Sequence, residues 1–111
     1  MVQTICFIMP IIYHVTSSKE WETANEKGFY TAPSLTTEGF IHCSKEEQVQ
    51  GVLQRYFVGK NDLVKLTIDT NKLNSPLQYD HSPSINEDFP HVYGPINFDA
   101  VIRVDIINAN S

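Results

Sequence analysis

The sequence predicts a single α+β domain, and three observations carry that reading. Predicted elements run strand, helix, strand, helix and then several strands, so helices come early and strands late, as in α+β folds rather than doubly wound parallel sheets. Two Ser-x-x-Glu boxes, Ser17 to Glu20 and Ser44 to Glu47, mark two helix starts, because hydroxyl and carboxylate can each satisfy a first-turn N–H. The 111 residues are 41% hydrophobic and 19% charged, enough for one core. No repeat, low-complexity tract or linker interrupts them.

Met9-Pro10 reads as a second start. Residues 1–8 are then an upstream extension or alternative start; their apolar Ile5, Phe7 and Ile8 equally suit an extra edge strand. The domain proper runs from 9 to 111. Ile11 to Val15 reads as the first strand. The first helix spans about Ser18 to Lys27, with Trp21 as core anchor and Gly28 as its stop. Residues 29–38 carry Pro33, Ser34, Thr36 and Thr37 and read as irregular loop. Gly39 to Cys43 reads as a short buried strand. Val49, Val52, Leu53, Tyr56 and Phe57 then recur at the spacing of a helical apolar face, ended by Gly59. Leu63 to Ile68 alternates, as a strand with one wet face does. Leu77 to Asp80 is a shorter strand, His81 to Asp88 a polar loop with His81 on the surface, and Phe89–Tyr93 and Ala100–Ile107 the last two strands.

Net charge is −5, from eight Lys plus Arg against thirteen Asp plus Glu, with no basic cluster. A protein that neutralises many phosphates needs such a cluster, so DNA and RNA are not expected partners. Two cysteines, Cys6 and Cys43, without a C-x-x-C, suit neither a disulfide framework nor a cysteine zinc site, and fit a reducing compartment. The apolar run from Ile5 to Val15 is too short to span a membrane and lacks the basic start and cleavage site of a signal peptide. The expected location is cytoplasmic.

Chemistry is expected from histidines. His14, His42 and His91 sit in apolar strand contexts, Tyr13-His14-Val15, Ile41-His42-Cys43 and Pro90-His91-Val92. A half-buried imidazole needs partners for its ring nitrogens. Singly, each suits a satisfied core residue; together, strand ends of one sheet can bring them to one pocket. Thr16 and Ser44 follow two of them at the i+2 spacing that shares a strand face, and Tyr93 follows His91 likewise. Ser44 is also the expected cap of the second helix, whose N-terminus suits an anion. P-loop, G-x-G-x-x-G, nucleophile-elbow and H-E-x-x-H motifs are missing. Three imidazoles suit a zinc hydrolase; the same residues suit a non-catalytic ligand-binding module.

Ile12-Tyr13-His14-Val15-Thr16, Trp21, Gly39-Phe40-Ile41-His42-Cys43-Ser44 and Phe89-Pro90-His91-Val92-Tyr93-Gly94-Pro95 resemble, in order, the signature of a bacterial family, domain of unknown function 952. The resemblance covers about residue 10 to the end. It implies a fold like that of the ADP-ribosyltransferases: two small β-sheets enclosing a cleft for NAD or an ADP-ribose-like nucleotide, with about two helices and no metal. It further implies His14 at the early-strand position that holds a ribose, where the spacing also puts Thr16, with His42 and Ser44 in the second motif and His91 and Tyr93 at the late position. There the family's customary carboxylate, usually Glu, is Asp80. The implied chemistry is transfer or hydrolysis at the nicotinamide ribose, with His14, His42, His91 and Tyr93 as catalytic candidates.

Overall fold

A computed structural model describes residues 10–107. The expected extension, residues 1–8, lies outside them. In chain order the elements are β1 (Ile11–Ser17), α1 (Ser18–Lys27), β2 (Phe29–Tyr30), α2 (Pro33–Thr37), β3 (Ile41–His42), α3 (Val49–Tyr56), β4 (Leu63–Asp69), β5 (Leu77–Ser82), β6 (Glu87–Val92), β7 (Ile96–Asn97) and β8 (Val101–Ile107). Short 3-10 turns precede α3, follow β4 and precede β8.

The strands form three antiparallel sheets, ordered β1-β4-β8, β2-β7 and β3-β6-β5, where two were expected. The alternation read in Leu63 to Ile68 holds, and β4 is the central strand of the first sheet. Its Val64, Leu66 and Ile68 stand opposite Thr16, His14 and Ile12 of β1, and this face enters the main core with Ile41, Val92 and Ile96. Each fully buried Ile, Leu or Val contributes roughly 1.5–3 kcal/mol. The opposite face presents Val15 and Leu63 to Leu53 of α3, with Val49 and Phe57 packed alongside.

Helix α1 starts and stops as its sequence requires. Ser17 Oγ accepts from Glu20 N–H at 3.0 Å, and Gly28, at φ 91°, closes the helix onto the Ala24 carbonyl. Trp21 packs against the core with its ring 5.0 Å from that of Phe98. No helix among the described residues is long and apolar enough to cross a membrane.

The structure corrects several boundaries. Residues 29–38 are not irregular throughout: they hold β2 and α2, with Pro33 at the start of α2, where a missing N–H costs nothing. Among the described residues there are therefore three α-helices rather than two. The run 39–43 contributes only Ile41 and His42 as strand, because Gly39 N–H is spent on the Ser34 and Leu35 carbonyls at the end of α2. The expected loop 81–88 is mostly hairpin, since His81 and Ser82 pair with Asp88 and Glu87.

Candidate functional site

A cleft of about 800 Å³ opens along the edge strand β1, toward β3 and β6. Five of the expected residues line it: His14, Thr16, His42, Ser44 and His91. The β1 edge comes close to β3 because Tyr13 and Ser44 exchange backbone hydrogen bonds, Tyr13 N–H to Ser44 O at 2.8 Å and Ser44 N–H to Tyr13 O at 2.7 Å.

His14 is the buried part of the site, 8% exposed. Its Nδ1 bonds the His42 carbonyl, which can only accept, so Nδ1 carries the proton and donates. Nε2 then accepts from the Tyr30 hydroxyl at 2.7 Å. Burial lowers the His14 pKa to about 4, against the smaller upward pull of the His42 carbonyl. At neutral pH the ring is an uncharged, fully bonded imidazole. The Tyr30 hydroxyl is itself pushed up by burial, so it stays a donor. Beside it the Thr16 hydroxyl donates to Glu20 Oε1 at 2.6 Å, which draws the Glu20 carboxylate to the cleft wall instead of back to the helix cap.

The open part is built on β3, β5 and β6. His42 and His91 stand directly opposite each other in the β3-β6 ladder, with ring centroids 5.2 Å apart and near-perpendicular planes. Each is held by a carboxylate. His42 Nε2 lies 3.2 Å from both Glu38 oxygens, and His91 Nδ1 lies 2.7 Å from Asp80 Oδ2. Phe40 stacks on His91 at 4.0 Å and 15°. Asp80 receives hydrogen bonds from Tyr93, Gln78 and His91, which hold its carboxyl down at about 2. Nδ1 of His91 therefore carries its proton toward Asp80. In the neutral ring Nε2 is left with a lone pair and, among the described residues, no hydrogen-bond partner.

Two expectations about the site need correction. Tyr93 does not line the cleft: it shares the His91 face, but its hydroxyl is spent on Asp80, and its own pKa is raised chiefly by that carboxylate. Ser44 does not cap the second helix, because its backbone is committed to β1. The helix opens one residue later as a 3-10 turn with Glu46 and Glu47 in its first turn, which repel an anion. His81 is exposed as expected and bonded to Asp88 at 2.8 Å, yet it stands on β5 and on the cleft lining. Sequence reasoning missed Tyr30, Glu38 and Lys60. The first two partner histidines, and Lys60 is the one Lys or Arg among the described residues of the cleft lining. No motif signals them.

No group of three or more His, Cys, Asp or Glu among the described residues stands in a metal-ligating arrangement, and His14 has both nitrogens bonded already. Cys43 is buried on the lining, with its thiol pushed up by burial.

Comparison with known proteins bears on the fold and the family. No curated protein matches the chain. A crystal structure of protein CC0527 from Caulobacter crescentus is similar at 30% identity and a TM-score of 0.81, over 88% of this chain and 86% of that one. The solution NMR structure of CC0527 gives 31% identity and a TM-score of 0.77, over 90% and 86%. The family model described as protein of unknown function (DUF952) matches residues 15–104, which contain the His42 and His91 motifs, β4 to β7 and the first half of β8. The chain belongs to the DUF952 family.

Proposed function

We propose that the cleft binds NAD or an ADP-ribose-like nucleotide, in a fold of ADP-ribosyltransferase type, and that His91 is the proton acceptor for transfer or hydrolysis at the nicotinamide ribose. The observation that carries this reading is the Asp80–His91 pair. A carboxylate fixes one ring nitrogen and leaves the other bare beside a cleft of substrate size. Thr16 offers a hydroxyl oxygen that can still accept from a ribose, while His14, with both ring nitrogens bonded, shapes the wall behind it. Lys60, rather than the acidic turn after Ser44, supplies the charge for phosphate. In hydrolysis, water oxygen bonds to C1′ while the C1′–N bond breaks and its electron pair returns to the nicotinamide nitrogen. The water proton goes to His91 Nε2. Asp80 takes no proton: its three hydrogen bonds make it a positioning residue. The zinc-hydrolase alternative needs three free imidazoles, and His14 has no nitrogen to give.

The test is titration calorimetry with NAD and ADP-ribose, together with chromatographic detection of released nicotinamide. The parent chain should bind and turn over. His91→Gln should bind NAD comparably and lose about 10²–10⁴-fold in turnover, the usual share of a general base. Lys19→Ala, exposed on α1 and off the cleft lining, should match the parent. A parent chain that binds neither ligand at millimolar concentration removes the nucleotide reading and leaves a non-catalytic module for another ligand. Unchanged turnover in His91→Gln removes the role given to His91.

A further inference from the structure

β8 is the outer strand of its sheet, paired with β4 on one side and, among the described residues, with no strand on the other. Ile102, Val104 and Ile106 are 44%, 40% and 85% exposed along it. Val104 and Ile106 stand opposite Leu66 and Val64, so they continue the face whose inner part is core. Arg103 and Asp105 alternate with them on the other face, where Arg103 Nε donates to Asp105 Oδ1 at 3.0 Å, with side chains 71% and 32% exposed. An open edge carrying exposed β-branched residues is a template for another strand.

We propose that β8 pairs antiparallel with β8 of a second copy of this chain, about a two-fold axis through Val104, making one continuous six-stranded sheet. The argument is charge complementarity within the strand. Directly opposed residues of an antiparallel pair share a face, which limits symmetric registers to those centred on a residue. Centred on Val104, the register puts Arg103 against the second copy's Asp105 twice over, so the pair formed along each strand is also formed across the axis. Centred on Arg103 it opposes two arginines, and centred on Asp105 two aspartates, both repulsive. Lys65 of β4 already stands opposite Asp105, so the favoured register extends one row of alternating charge, Lys65, Asp105 and the second copy's Arg103. The bulge between Thr67 and Ile68 breaks the ladder at the start of β8 and confines regular pairing to its later residues.

Sedimentation equilibrium on the full chain tests this. At high micromolar concentration the parent should have twice the chain mass and dissociate on dilution, because one strand pair is a small interface. Arg103→Asp places aspartate against aspartate and should give a monomer with an unchanged circular dichroism spectrum. Adding Asp105→Arg restores opposite charges across the axis and should restore the dimer. A monomeric parent overturns the proposal, whether the edge stays open or another segment of the chain covers it. A dimer indifferent to Arg103→Asp, or a double variant that stays monomeric, overturns it equally.

Discussion

Lowering pH tests the buried His14 network directly. The unfolded imidazole titrates near 6.5 and the folded one at about 4, burial being the larger cause. Between those values the unfolded chain binds a proton that the folded chain refuses, so stability falls as pH falls through this window. It is fully retained above pH 6.5 and levels off below pH 4. The maximal slope is about 1.4 kcal/mol per pH unit, and the whole interval amounts to roughly 3 kcal/mol. That is a large share of the 5–15 kcal/mol of an ordinary domain. Asp80, held near 2, loses its contribution only below the ordinary carboxylate range and leaves the window clear. The assay is urea denaturation at steps from pH 7.5 to 4.5, on the parent and on His14→Gln. Glutamine can still donate to the His42 carbonyl and accept from Tyr30, but it does not titrate. At pH 7.5 the variant should be less stable by about 1–3 kcal/mol, from imperfect geometry at two buried partners. By pH 4.5 the difference should have moved by about 2–3 kcal/mol in the variant's favour, closing or reversing the gap. A gap constant to within about 0.5 kcal/mol, the scatter of neutral substitutions, refutes the buried neutral imidazole.

Two further outcomes follow from the same structure. Gly28→Ala puts a side chain at φ 91° with no atom within 4 Å of the added carbon, so the cost is backbone strain alone, about 1 kcal/mol by urea denaturation; an unchanged midpoint contradicts the left-handed cap. The Cys43 thiol, buried and pushed up, should react with Ellman's reagent no faster than the chain unfolds, followed by peptide mapping; prompt modification of Cys43 in the native protein contradicts its burial.

The long elements were legible because they repeat a period. β1, β4 and β8 each run seven residues, and α1 announces both ends through Ser17 and Gly28. β2 and β7 are two residues each, and α2 is five, too short for periodicity to register. Their presence is set by tertiary pairing: Phe29 and Tyr30 become strand because Asn97 and Ile96 pass alongside. The histidines could be chosen in advance because an imidazole among apolar neighbours owes hydrogen bonds. Their partners were less legible: Tyr30 arrives by a chain crossing that leaves no local pattern, Glu38 reaches His42 from four residues upstream across the α2–β3 turn, and Asp80, named only through the family resemblance, reaches His91 across the β5–β6 ladder. Ser44 shows the same limit. A capping box fitted its neighbourhood, but the backbone was already claimed by Tyr13.

The two halves of the site are joined by residue 42. Its carbonyl accepts from His14, inside the protein, while its ring faces His91 on the open side. A charged His14 keeps the Nδ1 donor to residue 42 but gains a proton on Nε2, where the Tyr30 hydroxyl now donates. The Tyr30 hydroxyl must then turn from donor to acceptor and its proton find another partner, so the contact holding the β3 backbone is disturbed from its far side. The acid-sensitive element of stability is thus one hydrogen bond from the histidine that stands opposite the proposed proton acceptor. Acid should therefore disturb the His42–His91 arrangement before it unfolds the sheets, since those strands are held by ladders that do not titrate. Histidine proton resonances followed from pH 7.5 to 4.5 separate the cases. Shifts of His42 and His91 that accompany His14 titration ahead of global unfolding support the coupling through residue 42. Shifts that appear only with unfolding, or that persist unchanged in His14→Gln, place the two halves of the cleft under independent control.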